Sequence, residues 1–97
     1  MSDHGTAVAG GGTLSVEAGD SYFAPTCAMG VPAGTVTLVV RNTGRLLHNV
    51  SVPEQGIDQD IAHGEVVTVN VKMDGPPLRF RCKYHWTAGM VGALLPK

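Results

Sequence analysis

Residues 78–82 read Leu-Arg-Phe-Arg-Cys, with an apolar side chain at every second position and a cation between. Only an extended strand separates such residues cleanly, because successive Cβ atoms alternate across a strand and wind around a helix. Leu78, Phe80 and Cys82 therefore share a face that asks to be buried. Arg79, Arg81 and Lys83 share the opposite face. That cationic row suits a solvated strand surface that also discourages edge-to-edge pairing.

The same period governs most of the chain. Residues 13–17 alternate and stop at Gly19. Residues 35–41 follow the turn-formers Pro32-Ala33-Gly34 and end at Asn42-Thr43-Gly44. Residues 49–52 end at Pro53, and residues 65–72 end at Asp74-Gly75-Pro76-Pro77. Residues 91–95 close the chain. No stretch sustains a 3.6-residue apolar period. Strands separated by turn signals, without helices, predict an all-β, Greek-key antiparallel β-sandwich. Residues 54–64 are the least regular and read as a long crossover.

At 97 residues and 43 % apolar composition, the chain suits one domain with one core. Residues 13–97 form that domain. Residues 1–12 read as a flexible tail, because they are small, polar and glycine-rich. That tail lacks the apolar stretch of a signal peptide, so a chain working outside the cytoplasm would be a trimmed mature form. A net charge of −1 gives no reason to expect nucleic acid. No apolar run has the length of a membrane-spanning helix. Two cysteines do not make a disulfide scaffold. With Met1 removed, Ser2-Asp3-His4 would offer Cu(II) a square-planar nitrogen set, which could mislead a metal titration.

Residues 81–92, Arg-Cys-Lys-Tyr-His-Trp-Thr-Ala-Gly-Met-Val-Gly, hold the chemistry. Cys82 ends a strand, and a turn can fold the His85 imidazole back toward its sulfur. Met90 opens the next strand. Ala88-Gly89 lets the backbone come close before it. The loop thus offers thiolate, imidazole and thioether at one point between two strands. His48, at the start of another strand, is the best candidate for a fourth ligand. Two imidazoles and a thiolate with a weak axial thioether make up a blue-copper electron-transfer site. Zinc competes as a metal, but structural zinc sites usually show two paired-ligand motifs, and one is present here. Cys27 reads as a packed or half-exposed thiol, and His63 as a surface histidine.

Residues 82–92 resemble the copper loop of plastocyanin-like cupredoxins, whose pattern is C-x-x-H-x-x-A-G-M-x-G. Residues 42–50, Asn-Thr-Gly-Arg-Leu-Leu-His-Asn-Val, resemble the strand that carries that family's first histidine. Residues 31–36, Val-Pro-Ala-Gly-Thr-Val, resemble its earlier strand entry. The likeness covers most of residues 13–97. It implies a cupredoxin-like sandwich holding one copper ion through His48, Cys82, His85 and Met90. Asn49 matches the asparagine that ties the two ligand-bearing segments together. The sequence departs from the pattern at Leu47, where a proline is common, and at Trp86, where a smaller residue is usual.

The expected function is therefore a small type 1 copper electron carrier and not an enzyme, since Met90 fills the position a substrate would need. Trp86, Ala88, Gly89 and Leu47 would make an apolar patch for transient docking of redox partners. The chain is expected to be a monomer working outside the cytoplasm, in the periplasm or at the cell surface. A copper-handling protein, delivering or storing the metal, is the alternative. A metal-free interaction module would explain the strands and leave the loop unexplained.

Overall fold

The computed structural model describes residues 3–97. Two sheets pack face to face. One runs β1 (Thr6–Val8), β4 (Cys27–Val31), β10 (Val91–Pro96), β9 (Leu78–Arg81), β6 (His48–Val52) and β7 (Ile57–Ile61) in spatial order. The other runs β3 (Tyr22–Ala24), β2 (Thr13–Gly19), β5 (Gly34–Asn42) and β8 (Val66–Met73). Two short 3₁₀ turns, Pro53–Gln55 and Trp86–Ala88, are the helical elements among the described residues. No helix there is long and apolar enough to cross a membrane.

The alternation places the core. Leu78, Phe80 and Cys82 are buried, as are Val36, Leu38 and Val40 of β5 and Val69, Val71 and Met73 of β8. Arg79 and Lys83 face outward, and Arg81 is half-buried. The Phe80 ring meets Phe23 edge-on at 4.9 Å between centroids, an arrangement aromatic pairs favour. This contact links β9 of one sheet to β3 of the other.

Three features correct the expectations. First, the sheets are mixed and not wholly antiparallel: β1 with β4, β4 with β10 and β2 with β5 are parallel pairs. Strand alternation carries no information about a partner's direction, which depends on connections across the sandwich. Second, residues 54–64 are not a crossover. After one 3₁₀ turn they return as β7, antiparallel to β6 with Asn49 opposite Asp60 and Ser51 opposite Asp58. Ile57 and Ile61 face inward, while the two aspartates serve the outer face of an edge strand, a position that tolerates charge. Third, within the segment set apart as a tail, Thr6–Val8 form β1 on the edge of β4. Backbone pairing builds this strand without burial; Val8 stays exposed. His4 is also engaged, its ring stacked on Tyr22 at 3.6 Å and its N–H donated to Thr26 Oγ1. The amine-dependent copper motif requires the loss of Met1 and a free amine on Ser2, and both residues lie outside the described ones.

Candidate metal centre

The loop after β9 closes on itself through its backbone. The His85 N–H donates to the Cys82 carbonyl at 3.2 Å, which turns the chain directly after the cysteine. The His85 carbonyl then accepts from both Ala88 and Met90, at 2.9 and 3.2 Å. The Met90 carbonyl accepts the Cys82 N–H at 3.1 Å, completing the circuit. Three ligand-type residues are thus tied to one another by main chain alone. Gly89 ends the Trp86–Ala88 turn at φ +96°, a left-handed conformation that glycine adopts without strain. The glycine before Met90 is there for that turn.

His48 reaches the same point from β6. His48, Val50 and Val52 occupy the core face of the strand, and Asn49 and Ser51 the outer face. The His48 and His85 rings meet edge-on at 5.0 Å. Their Nδ1 atoms lie 4.0 and 3.4 Å from Cys82 Sγ, and the three potential ligand atoms all fall within 4.8 Å of one another. A first-row ion held about 2.0 Å from imidazole nitrogen and about 2.3 Å from sulfur at a trigonal angle would separate N and S by about 3.8 Å. The two observed N–S spacings bracket that value, so the three residues converge as the ligands of one small ion would. Cys82, His48 and Met90 are fully buried, while His85 is partly exposed. His48, Cys82, His85 and Met90 are positioned as a copper site.

Sequence reasoning missed what lies behind His48. Asp20 Oδ1 sits 2.7 Å from His48 Nε2. A carboxylate only accepts, so Nε2 carries the proton and Nδ1 is left as the lone-pair donor facing Cys82. Asp20 also accepts the N–H groups of Arg45 at 2.9 Å and Leu46 at 3.3 Å. The Arg45 backbone N–H first, and then the His48 ring N–H, lower its pKa from the ordinary 3.8 to about 2. Gly44 makes the approach possible: a Cβ there would stand 2.0 Å from Asp20 Oδ1.

Asn49 ties the ligand segments together by hydrogen bonds. Its Nδ2 donates to Asp58 at 2.7 Å and Asp60 at 2.9 Å. Its Oδ1 accepts from the Ser51 hydroxyl and from the Lys83 N–H, the latter at 3.3 Å, directly after Cys82. Asn49 is the leading cause that holds both aspartates below the usual carboxylate range. The hydrogen bond to Asp58 raises Lys83, and that to Asp60 raises Tyr84. The acidic pair is therefore occupied by neighbours.

Of the expected docking residues, Leu47 and Trp86 are about half exposed, Ala88 is exposed and Gly89 partly so. Leu46 and Tyr84 add exposed apolar surface. The Arg81 guanidinium lies 4.6 Å over the Trp86 ring, which holds the indole against β9. Cys27 and Cys82 are both free thiols. His63 is exposed, with its Nδ1 on the Gly44 carbonyl.

A two-sheet β-sandwich with a His-Cys-His-Met cluster at one end defines a class, and solved structures name it. The chain has the cupredoxin fold. It superposes on an auracyanin from the photosynthetic bacterium Roseiflexus castenholzii with a TM-score of 0.70, at 17 % identity over 89 % of this chain and 97 % of that one. A purple cupredoxin from Nitrosopumilus maritimus gives 0.62, at 18 % identity over 87 % and 99 %. The metal-binding domain of the Streptococcus pneumoniae Cu(I)-exporting P-type ATPase CopA gives 0.77, at 13 % identity over 97 % of both chains. No family model matches the sequence, and no curated protein matches it.

Proposed function

We propose that this chain is a small type 1 copper electron-transfer protein, accepting one electron from a donor and passing it to an acceptor. The observation that carries this reading is the convergence of Cys82 Sγ and the His48 and His85 Nδ1 atoms within 4.8 Å, at the head of a loop that also carries buried Met90. Bound copper would supply the Cu(II)/Cu(I) couple. The chain's own part is to hold a mixed donor set in one rigid arrangement, so that little moves when the charge changes. The backbone circuit of residues 82–90 and the buried β6 serve that purpose. The partly exposed His85 edge is the exit for the electron, and the apolar surface around Trp86, Leu46 and Leu47 suits brief docking by a redox partner. No open position for substrate is needed, and the protein works as a monomer outside the cytoplasm.

The test is an optical titration with Cu(II). Wild type should develop an intense visible thiolate–copper absorption that saturates at one equivalent, and Cys82→Ser should lose it. A weak absorption that survives in Cys82→Ser would overturn the assignment and move the metal to another set of nitrogens. The docking surface has its own test. Trp86→Ala should slow electron exchange with a partner several-fold while the visible spectrum stays the same; unchanged kinetics would remove the patch.

The likeness to a domain of a Cu(I) exporter supports a second reading, in which the chain hands copper on. The two differ in exchange. A carrier holds its copper through repeated oxidation and reduction, whereas a delivery protein yields Cu(I) quickly to a competing chelator.

A further inference from the structure

We propose that Asp20 is a positioning residue that makes His48 a stronger donor and biases the site toward Cu(II), lowering its reduction potential; this rests on the copper reading above. The observation is a carboxylate 2.7 Å from the far nitrogen of a fully buried imidazole whose near nitrogen faces the thiol. The carboxylate arrives from the other sheet, in the turn between β2 and β3, 28 residues from His48 in sequence. The surrounding chain is built to keep it there. Two backbone N–H groups of the segment before His48 fix its oxygens. Asn42 in turn shapes that segment, accepting the Gly44 N–H at 2.9 Å and donating to the Leu46 carbonyl at 2.8 Å. Gly44 leaves the gap that a Cβ would close, 2.0 Å from Asp20 Oδ1 and 3.1 Å from His48 Nε2.

Two effects follow from the contact. Accepting the Nε2 proton shifts electron density toward Nδ1, as a carboxylate does behind a metal-bound imidazole. A fixed negative charge one ring away also favours the more highly charged metal state; the His48 ring between them is buried, while the exposed outer side of Asp20 leaves part of that charge screened by water and salt. Both work in the same direction. Loss of such a contact lowers metal affinity about 10–100-fold. Here the loss should fall mainly on Cu(II), and each tenfold selective loss raises the potential by about 59 mV for a one-electron couple.

The experiment has a metal-free and a metal-loaded arm. In metal-free wild type, ¹⁵N NMR of the imidazoles should find His48 as the Nε2–H form with Nδ1 unprotonated; an Nδ1–H form overturns the proposal without any variant. In the loaded arm, wild type, Asp20→Asn and Gly44→Ala are titrated with Cu(II) and Cu(I), and their potentials are measured. Asp20→Asn should keep the thiolate–copper absorption, lose Cu(II) affinity at least tenfold more than Cu(I) affinity, and show a higher potential. Gly44→Ala, which keeps the carboxylate and drives it off the ring, should shift the potential the same way. A lower melting temperature with unchanged potential in both variants would make Asp20 merely a clamp on residues 44–46 and overturn the proposal. Wild type without thiolate–copper absorption would instead overturn the copper reading itself, and the tuning role with it.

Discussion

Gly92→Ala is expected to destabilise the metal-free protein by about 3 kcal/mol, at the upper end of the cost of overpacking a core. Gly92 lies in β10 directly opposite Phe80 of β9, and the Phe80 ring covers it. A Cβ at this position would fall 2.2 Å from Phe80 Cζ and 2.5 to 2.8 Å from two further ring carbons. The ring has little room to retreat, because Phe80 is buried and its edge contact with Phe23 joins the two sheets. A packed interior transmits such a displacement instead of absorbing it. For a domain of this size each kcal/mol lowers the melting temperature by about 4–8 °C, so calorimetry should record a fall of about 12–24 °C. Phe80→Leu should cost stability alone, yet the double variant should be more stable than the sum of the two single losses predicts. Strict additivity would mean that the ring does not set the requirement for glycine at position 92.

The last glycine of the metal-loop pattern thus has a packing reason two residues beyond the last ligand. That illustrates what could be read before the structure. Strands β2, β5, β8, β9 and β10 announce themselves because one face of each is the more buried and the period of two is written into the residues; β6, buried on both faces, still alternates Val50 and Val52 with polar side chains. The short strands escape notice for separate reasons. In β4 the run Cys-Ala-Met-Gly-Val is broken by Gly30 at φ +67°, and its alternation is weak. In β7 the run Ile-Asp-Gln-Asp-Ile carries two aspartates, a residue type that strands disfavour; they serve Asn49, Lys83 and Tyr84 on the outer face. In β1 pairing is almost purely backbone. The loop holding Cys82, His85 and Met90 was legible because nine contiguous residues contain it. Asp20 was not, because its partner is a whole sheet away and an aspartate in a turn is ordinary there.

Asn49→Ala should cost the metal-free protein about 2–3 kcal/mol although it removes no ligand. The side chain is fully buried, yet all of its polar capacity is used. Alanine would strand the buried Ser51 hydroxyl and free the Lys83 N–H that anchors the metal loop one residue after Cys82. It would also leave Asp58 and Asp60, one residue apart on the same face of β7, without the amide between them. Those carboxylates are about half exposed, so water and salt screen their share of the loss. Asn49→Asp should be worse than alanine, since it places a third carboxylate in a buried position against two others. The stability ranking should therefore be wild type, then Ala, then Asp by urea denaturation at neutral pH, and acid should narrow the gap between Ala and Asp by neutralising the new charge. In copper-loaded Asn49→Ala the visible absorption should persist, because every ligand remains, while copper escapes to a chelator faster than from wild type. Equal escape rates would show that the backbone circuit of residues 82–90 holds the loop by itself. Asn49 would then be a support for the outer face of β6 and β7 alone.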